Sequence, residues 1–207
     1  TKARKKMEQQ KNLVEIGIVR TEGVKTKKPK PMKQGSRDDF QTPAEAINIL
    51  LPFLNRDWTI WECACGKGNL HDAFRQQGFE VVATDILHGV DFLNHDYADE
   101  INFDFQCIIT NPPYSHKEQF LAKCYELRKP FALLMPLTAL EGEIRHKIYR
   151  RHGGIQLLIP NKRYNFETPN GQGSSSWFAT AWFCGNMNLP RDINFVEVKA
   201  KPVSGGE

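Results

Sequence analysis

The sequence predicts an α/β fold, a doubly wound and mostly parallel sheet with helices on both faces, and three observations lead there. Short apolar runs rich in β-branched residues alternate with segments of helical period, the order expected of βαβ units. Small, acidic or proline-rich stretches follow several of these runs, as in WECACGKG, FEVVATDI and FQCIITNPPYS. With 207 residues, 40% of them hydrophobic, the chain can bury one core and is most simply one domain with appendages.

Taken in order, FQTPAEAINILLPFL, Phe40 to Leu54, reads as a short helix. Thr42 is placed to cap it, Pro43 suits its first position, and Ala46, Ile49, Leu50 and Phe53 share a face. TIWECACGKG, Thr59 to Gly68, is a strand running into a turn of small residues. NLHDAFRQQG, Asn69 to Gly78, is a helix stopped by its glycine, and FEVVATDI, Phe79 to Ile86, is the next strand, ending near Asp85. FQCIIT, Phe105 to Thr110, is a buried strand that must stop at Asn111, because two prolines follow and neither can donate to a ladder. A helix over Lys117 to Leu127, a strand over Phe131 to Leu137 and a basic helix over Gly142 to Gly154 come next. IQLLIP, Ile155 to Pro160, and SWFATAWF, Ser176 to Phe183, complete the strands.

Charge divides the chain more sharply than it characterises it. Thr1 to Arg37 carries twelve Lys or Arg against three Glu, whereas the remainder carries sixteen against twenty-one Asp or Glu. Residues 1–37 are therefore expected to form a basic, disordered arm, either a solvated extension or a binder of phosphates. Residues 38–190 form the expected catalytic domain, and 191–207 a tail. The five cysteines make no CxxC pair and no zinc spacing with histidine, which points to reduced, mostly buried thiols and no metal centre. Neither a membrane-spanning apolar run nor a signal sequence is evident, so a soluble, cytoplasmic location is expected.

The chemistry-bearing residues cluster at strand ends. Ala64, Gly66 and Gly68 let the backbone approach a ligand, and the GxxxxGK[ST] phosphate loop is absent. Asp85, at the end of the next strand, can accept both hydroxyls of a ribose, so the pair describes a nucleoside-containing ligand without a pyrophosphate. Asp91 and Phe92 can take an adenine amino group and stack on its ring, or can serve as a turn acid and a core aromatic. In TNPPYS, the Asn111 amide oxygen and the Pro112 carbonyl can grip the hydrogens of an exocyclic amine. The prolines Pro112 and Pro113 stiffen the turn, and Tyr114 offers a wall for a planar group. Such chemistry requires neither a metal nor a covalent nucleophile.

These pieces, in this order, resemble the S-adenosylmethionine-dependent N6-adenine DNA methyltransferases, more closely the small phage-type members. The resemblance covers nearly all of Asp39 to Phe183 and implies a Rossmann-like class I methyltransferase fold. It implies that FQTP, with Phe40, Thr42 and Pro43, and ECACGKG, with Glu62, Ala64, Gly66 and Gly68, bind S-adenosylmethionine. Asp85 and Ile86 fall at the ribose site and Asp91-Phe92 at the adenine site, while Asn111, Pro112, Pro113 and Tyr114 form the catalytic tetrapeptide. Phe166 matches an aromatic that packs on the target base, which in duplex DNA must be flipped out of the stack. Cys63 and Gln41 depart from the family pattern, and no separate target-recognition domain follows Phe183. Arg145, Lys147, Arg150 and Arg151 are candidates for phosphate contact, or the solvated face of a helix whose inner side carries Ile144 and Ile148. The Gly/Ser-rich loop NFETPNGQGSSS is either a strand-clasping loop or a passive hairpin. The same tetrapeptide occurs in enzymes that methylate adenine in RNA or glutamine in proteins. A silent nucleic-acid-binding subunit that keeps the fold is the reading outside enzymes.

Overall fold

A computed structural model describes residues 40–94, 103–168, 171–172 and 178–198. The expected basic arm, residues 1–37, and part of the Gly/Ser-rich loop lie outside the described residues.

Alternation along the strands explains how the sheet is buried on both sides. In β1 (Thr59–Glu62), β3 (Cys107–Thr110) and β4 (Phe131–Pro136), Ile60, Ile109, Ala132 and Leu134 point to one face. Trp61, Ile108, Phe131, Leu133 and Met135 point to the other. Successive side chains of a strand leave opposite faces, so a strand with no polar face must be covered twice. The first face is covered by α1 (Asn69–Gln76), through Leu70, Ala73 and Phe74, and by the segment after Phe40. The second is covered by α2 (Lys117–Leu127), through Phe120, Leu121, Cys124 and Tyr125, and by Tyr149 of α3 (Glu143–Arg151).

The main sheet runs in the order β2 (Glu80–Ala83), β1, β3, β4, β8 (Thr180–Gly185), β5 (Gln156–Pro160), β9 (Ile193–Val196). All neighbours pair in parallel except β8, which is antiparallel to both β4 and β5. A two-stranded ribbon, β6 (Glu167–Thr168) with β7 (Gly171–Gln172), stands apart. From β1 the chain passes to β2 on one side, then crosses to β3 on the other. The strand order therefore reverses between β1 and β3, and a crevice opens there at their carboxyl ends. Expected strands and helices at 59–68, 69–78, 105–110, 117–127, 131–137, 142–154 and 155–160 all have counterparts, trimmed at their ends.

Three local expectations are corrected. Residues 40–54 do not form a regular helix but two 3-10 segments, Ala44–Ile49 and Leu51–Phe53, with Pro52 in the second. Thr42 does not cap them; Pro43 occupies the cap position, without a side-chain bond. The segment is fixed instead by packing of Ala46, Ile47, Ile49 and Leu50 and by Trp182, whose indole donates to the Ala46 carbonyl at 2.9 Å. Ile144 does not face inward but is 62% exposed, leaving Tyr149 as the buried residue of α3. Finally, the segment expected as a tail supplies β9, a full partner for β5.

Candidate functional site

The crevice at the carboxyl ends of β1, β2 and β3 is built in two halves. In the first, β1 runs into a turn where Gly66 has φ +51°, a left-handed conformation that favours glycine, and where a Cβ would lie 2.9 Å from Gln41 Oε1. Gly68, at φ 87°, precedes the first residue of α1. Ala64 is half-buried beside them. Asp85 is 7% exposed and ties this turn to the end of β2. Its Oδ2 accepts from Gly66 N at 2.8 Å and its Oδ1 from Leu87 N at 2.9 Å. Ile86 begins the short 3-10 turn after it. Glu62, at the end of β1, is 2% exposed, and its Oε2 is buried with no hydrogen-bond partner. Burial pushes the Glu62 carboxyl up to about 8, opposed by a backbone hydrogen bond from His71 and reinforced by Asp85 and Asp72.

Asp91 and Phe92 take more structural parts than a ligand pair requires. Asp91 Oδ1 accepts from Leu93 N at 2.9 Å, closing its own turn. Phe92 is 4% exposed, edge-on to Trp61 with ring centroids 5.1 Å apart and against Phe120 at 4.9 Å. Its ring belongs to the core between sheet and α2.

The second half centres on Asn111, where β3 ends. Asn111 Nδ2 donates to the Phe40 carbonyl at 3.2 Å, and this bond turns Oδ1 the other way, buried and without a partner. Pro112 is buried, and Pro113, with φ −58°, leads into the 3-10 turn Tyr114–His116. Four aromatic rings meet beside the amide. Phe40 stacks with Tyr114 at 6.2 Å and Phe166 with Phe178 at 6.1 Å, while Phe40 meets Phe166 and Phe178 edge-on, as Tyr114 meets Phe178. Phe166 thus stands with Tyr114's neighbours, from a segment 52 residues further along the chain.

The FQTP stretch is a strap joining both halves. Gln41 pairs its backbone with Glu167 (3.0 and 3.1 Å), and its side-chain Oε1 accepts from Lys67 N at 3.0 Å. The Thr42 carbonyl accepts from Asn69 Nδ2 at 3.2 Å. Gln41 and Phe178 were not foreseen as site residues. Gln41 acts across 26 residues, and Phe178 reads in sequence as one more aromatic leading into a strand.

The basic helix divides. Arg145 does not face solvent: it forms an ion pair with Glu118 of α2, and its Nε donates to the Ala139 carbonyl at 2.9 Å, so it pins α3 to the domain. Lys147 pairs with Glu143 at 2.6 Å on the exposed surface. Arg150 and Arg151 are exposed. Cys65, in the glycine turn, is a free thiol pushed up to about 11 by burial, with Glu62 and Asp85 adding, which disfavours its thiolate.

No protein-family model matches the chain, and no curated protein matches it. Among solved structures, it is similar to a protein described as a class I S-adenosylmethionine-dependent methyltransferase from Listeria monocytogenes. The two are 13% identical with a TM-score of 0.50, over 78% of this chain and 67% of that one. It is also similar to a modification subunit of a type I restriction enzyme from Vibrio vulnificus YJ016, with 12% identity and a TM-score of 0.50. That match covers 82% of this chain, which spans about half (49%) of the subunit's length. The fold is the Rossmann-like fold of class I methyltransferases. Among the described residues, no helix is long and apolar enough to cross a membrane.

Proposed function

We propose that this chain transfers the methyl group of S-adenosylmethionine to the N6 amino group of an adenine flipped out of duplex DNA. The observation that carries this reading is the buried, unpartnered Oδ1 of Asn111, oriented by the Phe40 carbonyl and walled by aromatic rings. A buried polar atom without a partner costs roughly 1–3 kcal/mol, and a substrate N–H would remove that cost.

The residues fit the cofactor. The glycine turn admits a close ligand, the orphaned Glu62 Oε2 offers an acceptor, and Asp85 with Ile86 lies where a ribose and purine would follow. Phe92 stays in the core, so Asp91 is the member of that pair left to contact the purine. When bound, S-adenosylmethionine supplies an electrophilic methyl group. Asn111 Oδ1 and the Pro112 carbonyl each accept one hydrogen of the incoming amine and align its lone pair. Both acceptors are neutral and keep no proton, so the surplus proton passes to water once the nitrogen has become cationic. Tyr114, Phe166 and Phe178 hold the base plane, and exposed Arg150 and Arg151 supply phosphate contacts. Likeness in fold to a restriction-enzyme modification subunit, together with FQTP ahead of the glycine turn, favours DNA over RNA or a protein glutamine.

The test is mass-spectrometric counting of N6-methyladenine in unmethylated DNA and RNA after incubation with S-adenosylmethionine, with Asn111→Ala as control. Methyl gain in DNA that the variant loses is the expected result. Gain in RNA alone replaces the acceptor, and silence in both overturns the reading.

A further inference from the structure

We propose, on the footing of the cofactor and acceptor placement given above, that Gln41 is the positioning residue linking the two halves of the crevice. A cofactor seated on the glycine turn thereby steadies the aromatic cluster beside Asn111 before any acceptor arrives. Gln41 faces both ways. Its side-chain Oε1 accepts from Lys67 N at 3.0 Å, and a Cβ on Gly66 would fall 2.9 Å from Oε1 and 3.0 Å from Nε2, so the amide lies directly on the turn. Its backbone holds the other half. Gln41 N donates to the Glu167 carbonyl at 3.0 Å, and Glu167 N donates to the Gln41 carbonyl at 3.1 Å.

The next steps outward are as direct. Gly66 N donates to Asp85 Oδ2 at 2.8 Å, which fixes the turn to the end of β2. Glu167 follows Phe166, whose ring packs against Phe40 and Phe178. Phe40, the residue before Gln41, stacks on Tyr114, and its carbonyl holds the Asn111 amide. The two ends differ in firmness. The turn is anchored to the main sheet, whereas Gln41 and Glu167 meet in an isolated bridge, and β6 and β7 have two residues each. A ribbon that short is marginal by itself, so its order is borrowed from what it is tied to. A ligand on the turn restrains Lys67 N–H, and with it the Gln41 amide and the bridge. An acceptor then meets rings whose ordering cost is already met, and the two ligands favour each other's binding. The bond from Asn69 Nδ2 to the Thr42 carbonyl, 3.2 Å, ties the same strap to α1 and keeps it in place when the Gln41 side chain is changed.

Residue-resolved amide hydrogen exchange of the full chain tests this, with and without saturating S-adenosylmethionine and with no acceptor present. In the wild type the cofactor is expected to slow exchange at Gln41 and Glu167 roughly fivefold or more, the lower range of coupling between sites. Gln41→Met keeps the length of the side chain and removes its acceptor. There the cofactor should still slow Gly66 and no longer slow Glu167. Gln41→Glu still offers an oxygen to Lys67 N and should restore the effect. A residue that merely held the strap together would change Glu167 exchange equally with and without cofactor, and that result overturns the proposal. So does a wild type whose Glu167 exchange ignores saturating cofactor, or a Gln41→Met chain that keeps the response. A Gln41→Glu chain no better than Gln41→Met overturns the hydrogen bond as the link. No methyl group is transferred in this measurement, so its failure leaves the DNA reading standing, and methyladenine counting judges that reading by itself.

Discussion

The two halves of the crevice are held by different means. On the β1–β2 side a carboxylate does the holding: Asp85 spends both oxygens on backbone amides, so the glycine turn is shaped before any ligand arrives. On the β3 side the holding is done by rings and by one carbonyl, and the amide oxygen of Asn111 is left over. The first half leaves Glu62 Oε2 buried without a partner, and the second leaves Asn111 Oδ1 so, with Thr110 Oγ1 behind it. Removing an oriented polar group from each half should therefore fail in different observables.

The largest separation is expected from Asn111→Ala, which should lower the methyl-transfer rate by roughly 10²–10³-fold, the usual cost of losing a preorganised polar contact to the reacting group. Cofactor affinity, followed by equilibrium titration, should hardly change. Glu62→Gln comes next and acts through pH. A carboxyl raised from its ordinary 4.5 to about 8 binds its proton more tightly folded than unfolded. Its contribution is intact below pH 4.5 and is lost as pH climbs through 8. The glutamine variant should match the wild type near pH 4 and exceed its stability by roughly 5 kcal/mol at pH 9, while binding cofactor more weakly. Thermal melts across pH reveal this, and parallel curves would remove Glu62 as the strained member of its half.

Asp85→Ala is expected to cost roughly 2 kcal/mol in stability from its two charged hydrogen bonds, and to raise the cofactor dissociation constant about tenfold. Titration without loss of affinity would confine Asp85 to the turn. The smallest effects belong to the basic helix. Arg150→Ala and Arg151→Ala should each lower the salt slope of DNA binding by about one. Arg145→Ala should leave that slope alone and lower the melting temperature, because its partners are Glu118 and the Ala139 carbonyl.

How much of this was legible in the sequence follows from the range over which each feature is decided. Strands such as Cys107–Thr110 and the helix Lys117–Leu127 are marked by local runs and stops, and both stand where their patterns put them. Asn111 was readable because two prolines leave a strand no other course. Residues 40–54 carry a helical stripe, yet Pro52 and anchoring by Trp182 settle them as 3-10 turns. Arg145 looks like any surface cation until Glu118, 27 residues earlier, is brought beside it. Phe92 and Phe166 look alike in sequence. Both are 4% exposed: packing sets the first in the core between Trp61 and Phe120, and the second against Phe40 and Phe178. β9 is four residues long and follows a polar stretch, too brief a signal to separate a strand from a tail.

The bond that aims Asn111 ends on a peptide carbonyl, and any amino acid at position 40 supplies one. Mutational drift at that position can change the ring that lines the pocket without disturbing the orientation of the amide. Under the proposed reaction, a change of ring there would alter the fit of the acceptor and leave the aim of the amide intact. Only a change in the path of the chain, such as Gln41→Pro, which deletes the N–H donated to Glu167, would put both at risk together.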